Sequence, residues 1–173
     1  KKDISREIDL NINKAFDEKN IISTIDKELN DVYRDFNFEP VQRSSVVEEL
    51  RFVDAISDSL KESMNKYNNL VLMGQDIAEY GGVFKVSEGF LDLFGKERVR
   101  NTPICESSII EVAMGLSICN RKSIVELQFS DFISSGFNPV VNYLAKIHYR
   151  WGQNADIVLR MPCGGGVGAG PFH

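Results

Sequence analysis

The sequence predicts an α/β fold in which a parallel sheet carries helices on both faces, preceded by a short helical segment. Three short runs rich in apolar residues, at 70–73, 124–129 and 156–162, are typical of buried parallel strands. Apolar residues at helical spacing separate these runs. Strands that alternate with helices of about a dozen residues favour a doubly wound parallel sheet.

The composition is that of a globular domain with one hydrophobic core. The chain has 173 residues, of which 43% are hydrophobic and 26% charged, and its net charge is −5. A negative net charge without clustered Lys and Arg argues against nucleic acid as a partner. No apolar run is long enough to cross a bilayer, and the start KKDISREIDL lacks the apolar core of a signal peptide. We therefore expect no membrane association and a cytoplasmic location.

Residues 1–40 differ in character from the rest of the chain. They are rich in charged residues and carry two sets of apolar residues at helical spacing, which predict a pair of amphipathic helices. The two sets are Ile8, Ile12 and Phe16, and then Ile22, Ile25 and Leu29. The stretch VQRSS at 41–45 reads as a linker. The sequence therefore predicts a helical tail at 1–40 and a main domain at 41–173.

The elements of the main domain follow in order along the chain. Apolar steps of three and four residues predict a helix between Val53 and Met64, and the run at 70–73 predicts a strand that ends at Gly74. A loop with paired glycines comes next, and a helix-like stretch follows at 89–97. These elements form the first half of the alternating pattern.

The second half continues the alternation. A stripe of apolar residues predicts a helix over Ser108–Ile118, and Ser108 with Glu111 matches a capping box, which starts this helix just after Glu106. The remaining elements are a strand at 124–129, a helix with Val140, Leu144 and Ile147 on one stripe, and a strand at 156–162.

The three cysteines, Cys105, Cys119 and Cys163, are widely spaced and odd in number. Their spacing fits neither a metal site nor a disulfide framework. We therefore expect them to be buried thiols.

One pair of residues points to a cofactor. Glu106 stands where a loop gives way to a helix, and the aromatic Phe132 follows the next strand. A carboxylate and a flat apolar ring are what an aminopyrimidine needs for a hydrogen bond and for stacking. The plain alternatives are an acidic residue at a helix N-terminus for Glu106 and a core residue for Phe132. The pair nevertheless suggests a thiamine site.

Longer motifs carry a family resemblance. The segments LVLMGQDIAEYGGVFKVSEG, FGKERVRNTPICESSI, VELQFSDFI, FNPVVNYLAKIHYR and RMPCGGG occur in this order. From about residue 49 to 173 the chain resembles the pyrimidine-binding domain of the beta subunit of thiamine-diphosphate-dependent 2-oxo acid dehydrogenases, of branched-chain (2-oxoisovalerate) or pyruvate type. Residues 1–40 are similar to the helical tail of the alpha subunit, which implies a fused alpha-beta polypeptide.

The resemblance implies roles for individual residues. It makes Glu106 the carboxylate that bonds a ring nitrogen of thiamine diphosphate, so that the cofactor can remove its own acidic proton. Phe132 matches the aromatic that stacks on the pyrimidine, and Gln128 lies where it could reach the polar edge of that ring. His173 matches a catalytic histidine that acts on the intermediate or on acyl transfer. The domain is expected to continue beyond this histidine.

The resemblance also implies further ligands and partners. Backbone carbonyls of Ala155, Ile157 and Val158 match a monovalent cation site, for which K⁺ is the expected ion. The diphosphate and its Mg²⁺ are held in the family by an alpha-type domain through a Gly-Asp-Gly motif, and this sequence contains no Gly-Asp-Gly. Expected partners are therefore that diphosphate-binding domain, a lipoyl-bearing acyltransferase and a small 2-oxo acid, in an oligomer.

The implied activity is oxidative decarboxylation of a 2-oxo acid with acyl transfer to a lipoyl group, with a slight preference for a branched-chain substrate. Three alternatives stay open from the sequence. The first is a transketolase-like or other thiamine-dependent enzyme, the second a non-catalytic assembly module, and the third an unrelated nucleotide-binding α/β domain. The fragment alone is not expected to turn over.

Overall fold

The computed structural model describes residues 1–42, 44–164, 166 and 168. The chain divides into two compact units, Lys1–Tyr33 and Arg34–His173. The boundary that the sequence predicts at residues 40–41 stays a prediction. Within the described residues, no helix combines the length and the apolar character needed to cross a bilayer.

The first unit contains two helices, as the apolar spacing predicts. Helix α1 spans Lys2–Asp17 and helix α2 spans Ile25–Asp31. The hydroxyl of Thr24 caps α2 by accepting a hydrogen bond from the backbone N–H of Lys27 at 3.2 Å. Neither helix has a buried residue. This unit therefore has no hydrophobic core within its own helices.

The second unit holds four strands and five helices among its described residues. The strands are β1 (Leu70–Gly74), β2 (Val99–Asn101), β3 (Lys122–Glu126) and β4 (Ile157–Arg160). The helices are α3 (Phe52–Lys66), α4 (Phe90–Phe94), α5 (Glu106–Ile118), α6 (Ile133–Asn142) and α7 (Ile147–Trp151). Single turns of 3₁₀-helix lie at Val83–Lys85, Ser130–Phe132 and Leu144–Lys146.

The strands form one fully parallel sheet in the order β2-β1-β3-β4. Leu72 of β1 stands beside Val99 of β2 on one side and Ile124 of β3 on the other, and Ile124 in turn stands beside Val158 of β4. All five residues of β1 are buried, as expected for a central strand that helices cover on both faces.

Alternate residues of β1 serve two separate cores. Leu70 and Leu72 pack with residues of α3 and α4, whereas Val71 and Met73 pack with residues of α5. Successive side chains of a strand point to opposite faces, so these two sets lie on opposite sides of the sheet. The predicted α/β fold with helices on both faces is therefore confirmed.

Several element limits differ from those that the sequence predicts. The sequence does not delimit the short strand β2, because three residues carry almost no pattern. The strand at 124–129 is found at 122–126, and the strand at 156–162 at 157–160. The apolar runs extend past both strand ends because the residues that follow β3 and β4 stay fully or partly buried.

The capping box is wrong. Helix α5 begins at Glu106, its N-cap residue is Cys105, and Ser108 lies within the first turn. The Cys105 thiol donates to the Ser108 hydroxyl at 3.0 Å. A Ser followed by Glu three residues later is also compatible with positions inside a helix, and here the packing of Ile109 and Ala113 sets the start.

Two further expectations also need correction. The single helix predicted through Val140 and Ile147 is broken, because Tyr143 has φ −114° and ψ −66°, away from helical values. The three cysteines are exposed rather than buried. Cys105 and Cys119 cap the two ends of α5, and Cys163 follows β4, so all of them lie at element ends outside the cores.

Candidate active site

The strand order places a crevice at the carboxyl end of β1. From β1 the chain moves to β2 on one side, and later to β3 and β4 on the other. Where connections leave in opposite directions, the loops at the carboxyl ends separate, and ligands of open α/β sheets bind there. The residues that follow β1 and β3 are therefore the first candidates for a binding site.

Glu106 lies at this edge as the first residue of α5, and it is half-buried. The side-chain amide of Gln75, which directly follows β1, donates to Glu106 Oε1 at 3.3 Å. Gln75 is only 4% exposed. Glu106 Oε2 makes no hydrogen bond within the described part of the chain. The helix N-terminus favours a negative charge on this carboxylate.

Gln128 is held from the same strand end. Its side-chain amide donates to Asp76 Oδ2 at 3.3 Å, and Asp76 follows Gln75 in the chain. Asp76 has φ 55°, in the left-handed region, which Asp tolerates better than most residues. Consecutive residues after β1 therefore contact the two polar side chains that the sequence predicts for cofactor binding.

Phe132 ends the 3₁₀ turn Ser130–Phe132 and is half-buried. Its ring packs edge-on against that of Phe129, with 5.9 Å between centroids. One helical turn later, Gly136 of α6 faces the start of α5, where a Cβ on this glycine would lie 3.6 Å from the carbonyl carbon of Glu106. Phe132 and Glu106 are thus brought to the same end of the α5–α6 pair.

A buried ion pair lies behind this edge. Glu126, at the end of β3, is 1% exposed, and its carboxylate accepts hydrogen bonds from Arg160 Nη1 and, at 3.3 Å, from the backbone N–H of Val83. Burial lowers the pKa of the Arg160 guanidinium, which still stays charged at neutral pH. The pair joins β3, β4 and the loop after β1.

Comparison with known proteins identifies the domain. The family model for the transketolase, pyrimidine binding domain matches residues 48–173. The chain belongs to this family. The motif resemblance that the sequence analysis describes is confirmed at this level.

The similar curated proteins are beta subunits of 2-oxo acid dehydrogenases. The 2-oxoisovalerate dehydrogenase subunit beta of Bacillus subtilis (strain 168) is 38% identical over 126 residues, which are 72% of this chain and 38% of that protein. The 3-methyl-2-oxobutanoate dehydrogenase subunit beta of Mycobacterium tuberculosis is 37% identical over 132 residues, 75% of this chain and 38% of that protein.

The pyruvate dehydrogenase E1 component subunit beta of Staphylococcus epidermidis is 35% identical over 127 residues, which cover 72% of this chain and 39% of that protein. The chain therefore spans less than half the length of these relatives.

A transketolase pyrimidine-binding domain implies thiamine diphosphate, and the residues at the β1 edge fit its ring end. Glu106 keeps one carboxylate oxygen without a hydrogen bond among the described residues, and an apolar aromatic residue stands at the start of the helix packed beside it. A heterocycle with a polar edge and flat faces needs both kinds of group.

The remaining predicted site residues are His173 and the three carbonyl donors of the cation site. His173 lies outside the described residues. Ile157 and Val158 lie inside β4, where Leu127 N–H donates to the Arg160 carbonyl at 3.1 Å, so the Val158 carbonyl two residues earlier also faces β3. Ala155 is half-buried just before the strand. The cation site stays a prediction, and its geometry favours Ile157 over Val158.

Three site residues were missed by the sequence analysis, namely Gln75, Glu126 and Arg160. Each is a polar or charged residue at or next to the end of an apolar run, in LVLMGQ, IVE and VLR. A polar residue that interrupts such a run at the carboxyl end of a strand is the signal that could have identified them.

Two cavities lie next to Pro162 and Cys163, just after β4. The larger, of about 910 Å³, is lined by the start of α3, by four residues of the loop after β1 and by Arg160 to Cys163; the four are Phe84, Lys85, Val86 and Glu88. The smaller, of about 180 Å³, includes Phe84, Phe129 and Asp131. Phe84 is shared by both cavities, and neither is lined by Glu106, Gln128 or Phe132.

Proposed function

We propose that this chain supplies the pyrimidine-binding half of the active site of a thiamine-diphosphate-dependent 2-oxo acid dehydrogenase. The observation that carries this proposal is the carboxylate of Glu106, which has Oε1 held by a buried amide and Oε2 free of hydrogen bonds among the described residues. It lies at the strand edge where α/β sheets bind ligands. The relatives named above support the reaction class.

The residues of this chain would act on the ring end of the cofactor. When bound, thiamine diphosphate would supply the nucleophile and the electron sink that decarboxylation of a 2-oxo acid needs. Glu106 Oε2 is the atom that would share a proton with a ring nitrogen. Phe132 would offer an apolar face for stacking, and Gln128 an amide for the polar edge of the ring. His173 would take part in the later transfer steps.

The remaining parts of the enzyme would come from partners. An alpha-type domain would hold the diphosphate and Mg²⁺, because this sequence has no Gly-Asp-Gly. A lipoyl-bearing acyltransferase would accept the acyl group, and K⁺ would bind near Ala155. A branched-chain 2-oxo acid is the favoured substrate class, since two of the relatives described above carry such names. The complete assembly would be an oligomer.

Substitution of the carboxylate tests the proposal. The full-length protein with its diphosphate-binding half is assayed for single-turnover decarboxylation of several 2-oxo acids, as wild type, as Glu106→Gln and as Glu111→Gln. We expect Glu106→Gln to lower the rate by about 10²- to 10⁴-fold, because it removes the proton-sharing group. Glu111 is exposed on the same helix, so its variant is the matched control and should keep the wild-type rate.

A non-catalytic assembly module is the second candidate, and the exposed apolar residues of α5 and α6 favour it. Val112 is 52% and Phe137 59% exposed, as residues that contact another subunit would be in the isolated chain. This candidate predicts that Glu106→Gln leaves the rate unchanged. If the protein is a thiamine-dependent enzyme of another class, Glu106→Gln should lose the decarboxylation rate. The wild-type protein should then not reduce lipoamide.

A further inference from the structure

The turn that leaves β1 contacts both polar side chains of the proposed cofactor site. Gln75 bonds Glu106 and Asp76 bonds Gln128, each at 3.3 Å. The sequence analysis assigns no cofactor-binding role to Gln75 or Asp76.

The position of Gln75 is held firmly by its surroundings. Gly74 before it packs so closely on β3 that a Cβ would lie 2.6 Å from the Glu126 carbonyl oxygen. The carbonyl of Asp76 after it accepts from Gly82 N–H at 2.8 Å, which closes the loop. Gln75 itself is almost completely buried. The backbone is therefore fixed on both sides of Gln75, and burial leaves few other rotamers open to its side chain. Such a side chain can hold its partner in one orientation.

The chemistry of an amide then determines its effect on Glu106. An amide N–H donates a hydrogen bond without carrying charge, so it stabilises an ionised carboxylate. It also occupies Oε1, which leaves Oε2 as the oxygen available to a ligand. A carboxyl group at position 75 would do the opposite, because two adjacent carboxyl groups cannot both ionise readily and would share a proton.

We infer that Gln75 is a positioning residue that holds the carboxylate of Glu106 by Oε1, with Oε2 directed to the ligand. This inference rests on the proposed function of Glu106. It has a measurable consequence, because a carboxylate that is ionised before binding must gain the proton that it shares with the ring. Binding of thiamine diphosphate near neutral pH should therefore take up about one proton from solvent.

Calorimetric titration measures that proton directly. Thiamine diphosphate with Mg²⁺ is titrated into the full-length protein with its diphosphate-binding half, in buffers of different ionisation enthalpy. The variants are Gln75→Glu, Gln75→Met and the surface control Gln153→Glu, which makes the same substitution at an exposed residue. Glu106→Gln serves as the reference without the carboxylate.

We expect wild type and Gln153→Glu to take up about one proton, and Gln75→Glu close to none because its pair of carboxyl groups already holds one. The Gln75→Met variant should fold, because Met is similar in size to Gln. It should bind thiamine diphosphate about 10-fold more weakly, or worse, because the hydrogen bond to the charged Glu106 is lost.

The outcomes separate the two proposals. If Gln75→Glu takes up as many protons as wild type, or if Gln75→Met binds thiamine diphosphate as tightly as wild type, the role of Gln75 is overturned while that of Glu106 stands. If Gln75→Glu does not fold, the binding constant of Gln75→Met decides alone. If wild type does not bind thiamine diphosphate, or Glu106→Gln retains turnover, the proposed function itself fails.

Discussion

At the scale of single residues, Gly74 is the tightest point of the site. A Cβ there would lie 2.6 Å from the Glu126 carbonyl oxygen and 3.0 Å from Ile77 Cγ1. A backbone carbonyl in a paired strand cannot rotate away, so β1 and β3 would have to separate where the site lies. We therefore expect Gly74→Ala to lower the free energy of unfolding by about 2 kcal/mol or more, measured by urea denaturation.

Gly115→Ala is the control for this substitution. Gly115 lies inside α5, and no atom beyond its neighbours comes within 4 Å of a Cβ placed there. Because Ala is the better helix former, this variant should gain about 0.5–1 kcal/mol. Equal stability of wild type and Gly74→Ala would show that the two strands are not as close as the structure has them.

The sequence was informative about some site residues and silent about others for a physical reason. Glu106 and Phe132 lie at changes between element types, where the apolar pattern breaks and the residue is visible against it. Gln75 is marked in the sequence only as a polar residue that follows an apolar run, and its partner Glu106 lies 31 positions away in the chain. Such a long-range contact leaves no local pattern in the sequence. The hydrogen bond that supports Glu106 could therefore not be predicted.

At the scale of elements, the Glu126–Arg160 pair fastens β3, β4 and the loop after β1 to one another. Arg160→Met would leave the buried carboxylate of Glu126 without its charged partner. We expect the free energy of unfolding to fall by about 3–5 kcal/mol at neutral pH. The double variant Glu126→Gln with Arg160→Met removes the unpaired charge and should recover most of that loss.

The pH dependence of Arg160→Met has a definite sign. Burial without a partner would raise the pKa of the Glu126 carboxyl group above its unfolded value, so the folded variant binds more protons than the unfolded chain. Its stability should therefore fall as pH rises from about 5 to 8, more steeply than that of wild type. A parallel pH dependence in both proteins, from denaturation curves over this range, would contradict the buried pair.

The limits of the elements were predicted with uneven success because apolar pattern and hydrogen-bond pattern are different signals. The stripe through Val140 and Ile147 continues across the break at Tyr143, since a 3₁₀ turn keeps side chains on nearly the same face. The three residues of β2 are too few for a period to show. Long helices such as α3 were predicted correctly because 15 residues are enough for the helical period to show.

At the scale of the whole molecule, the fold class followed from the alternation of elements, but the strand order β2-β1-β3-β4 did not. Alternation records which faces are buried, whereas strand order depends on which distant strands pair. The crevice at β1 arises from that order. The sequence could therefore indicate the residues of the site and the sheet that carries them, but not the edge at which they meet.

The two units of the chain should also differ in local stability. Helix α1 has no buried residue, and a lone helix of its 16 residues is only marginally stable in water. Helix α5 buries Ile109, Ile110 and Ala113, so its amides open only when the packed core opens.

In the polypeptide of residues 1–173 we expect the amides of α1 to exchange with deuterium at least about 100-fold faster than those in the middle of α5. Peptide-resolved hydrogen exchange by mass spectrometry measures both rates in one sample, and α4 provides a short helix that has its own buried residue, Phe90, as an internal control. Protection of α1 equal to that of α5 would mean that burial within the chain does not set the stability of its helices.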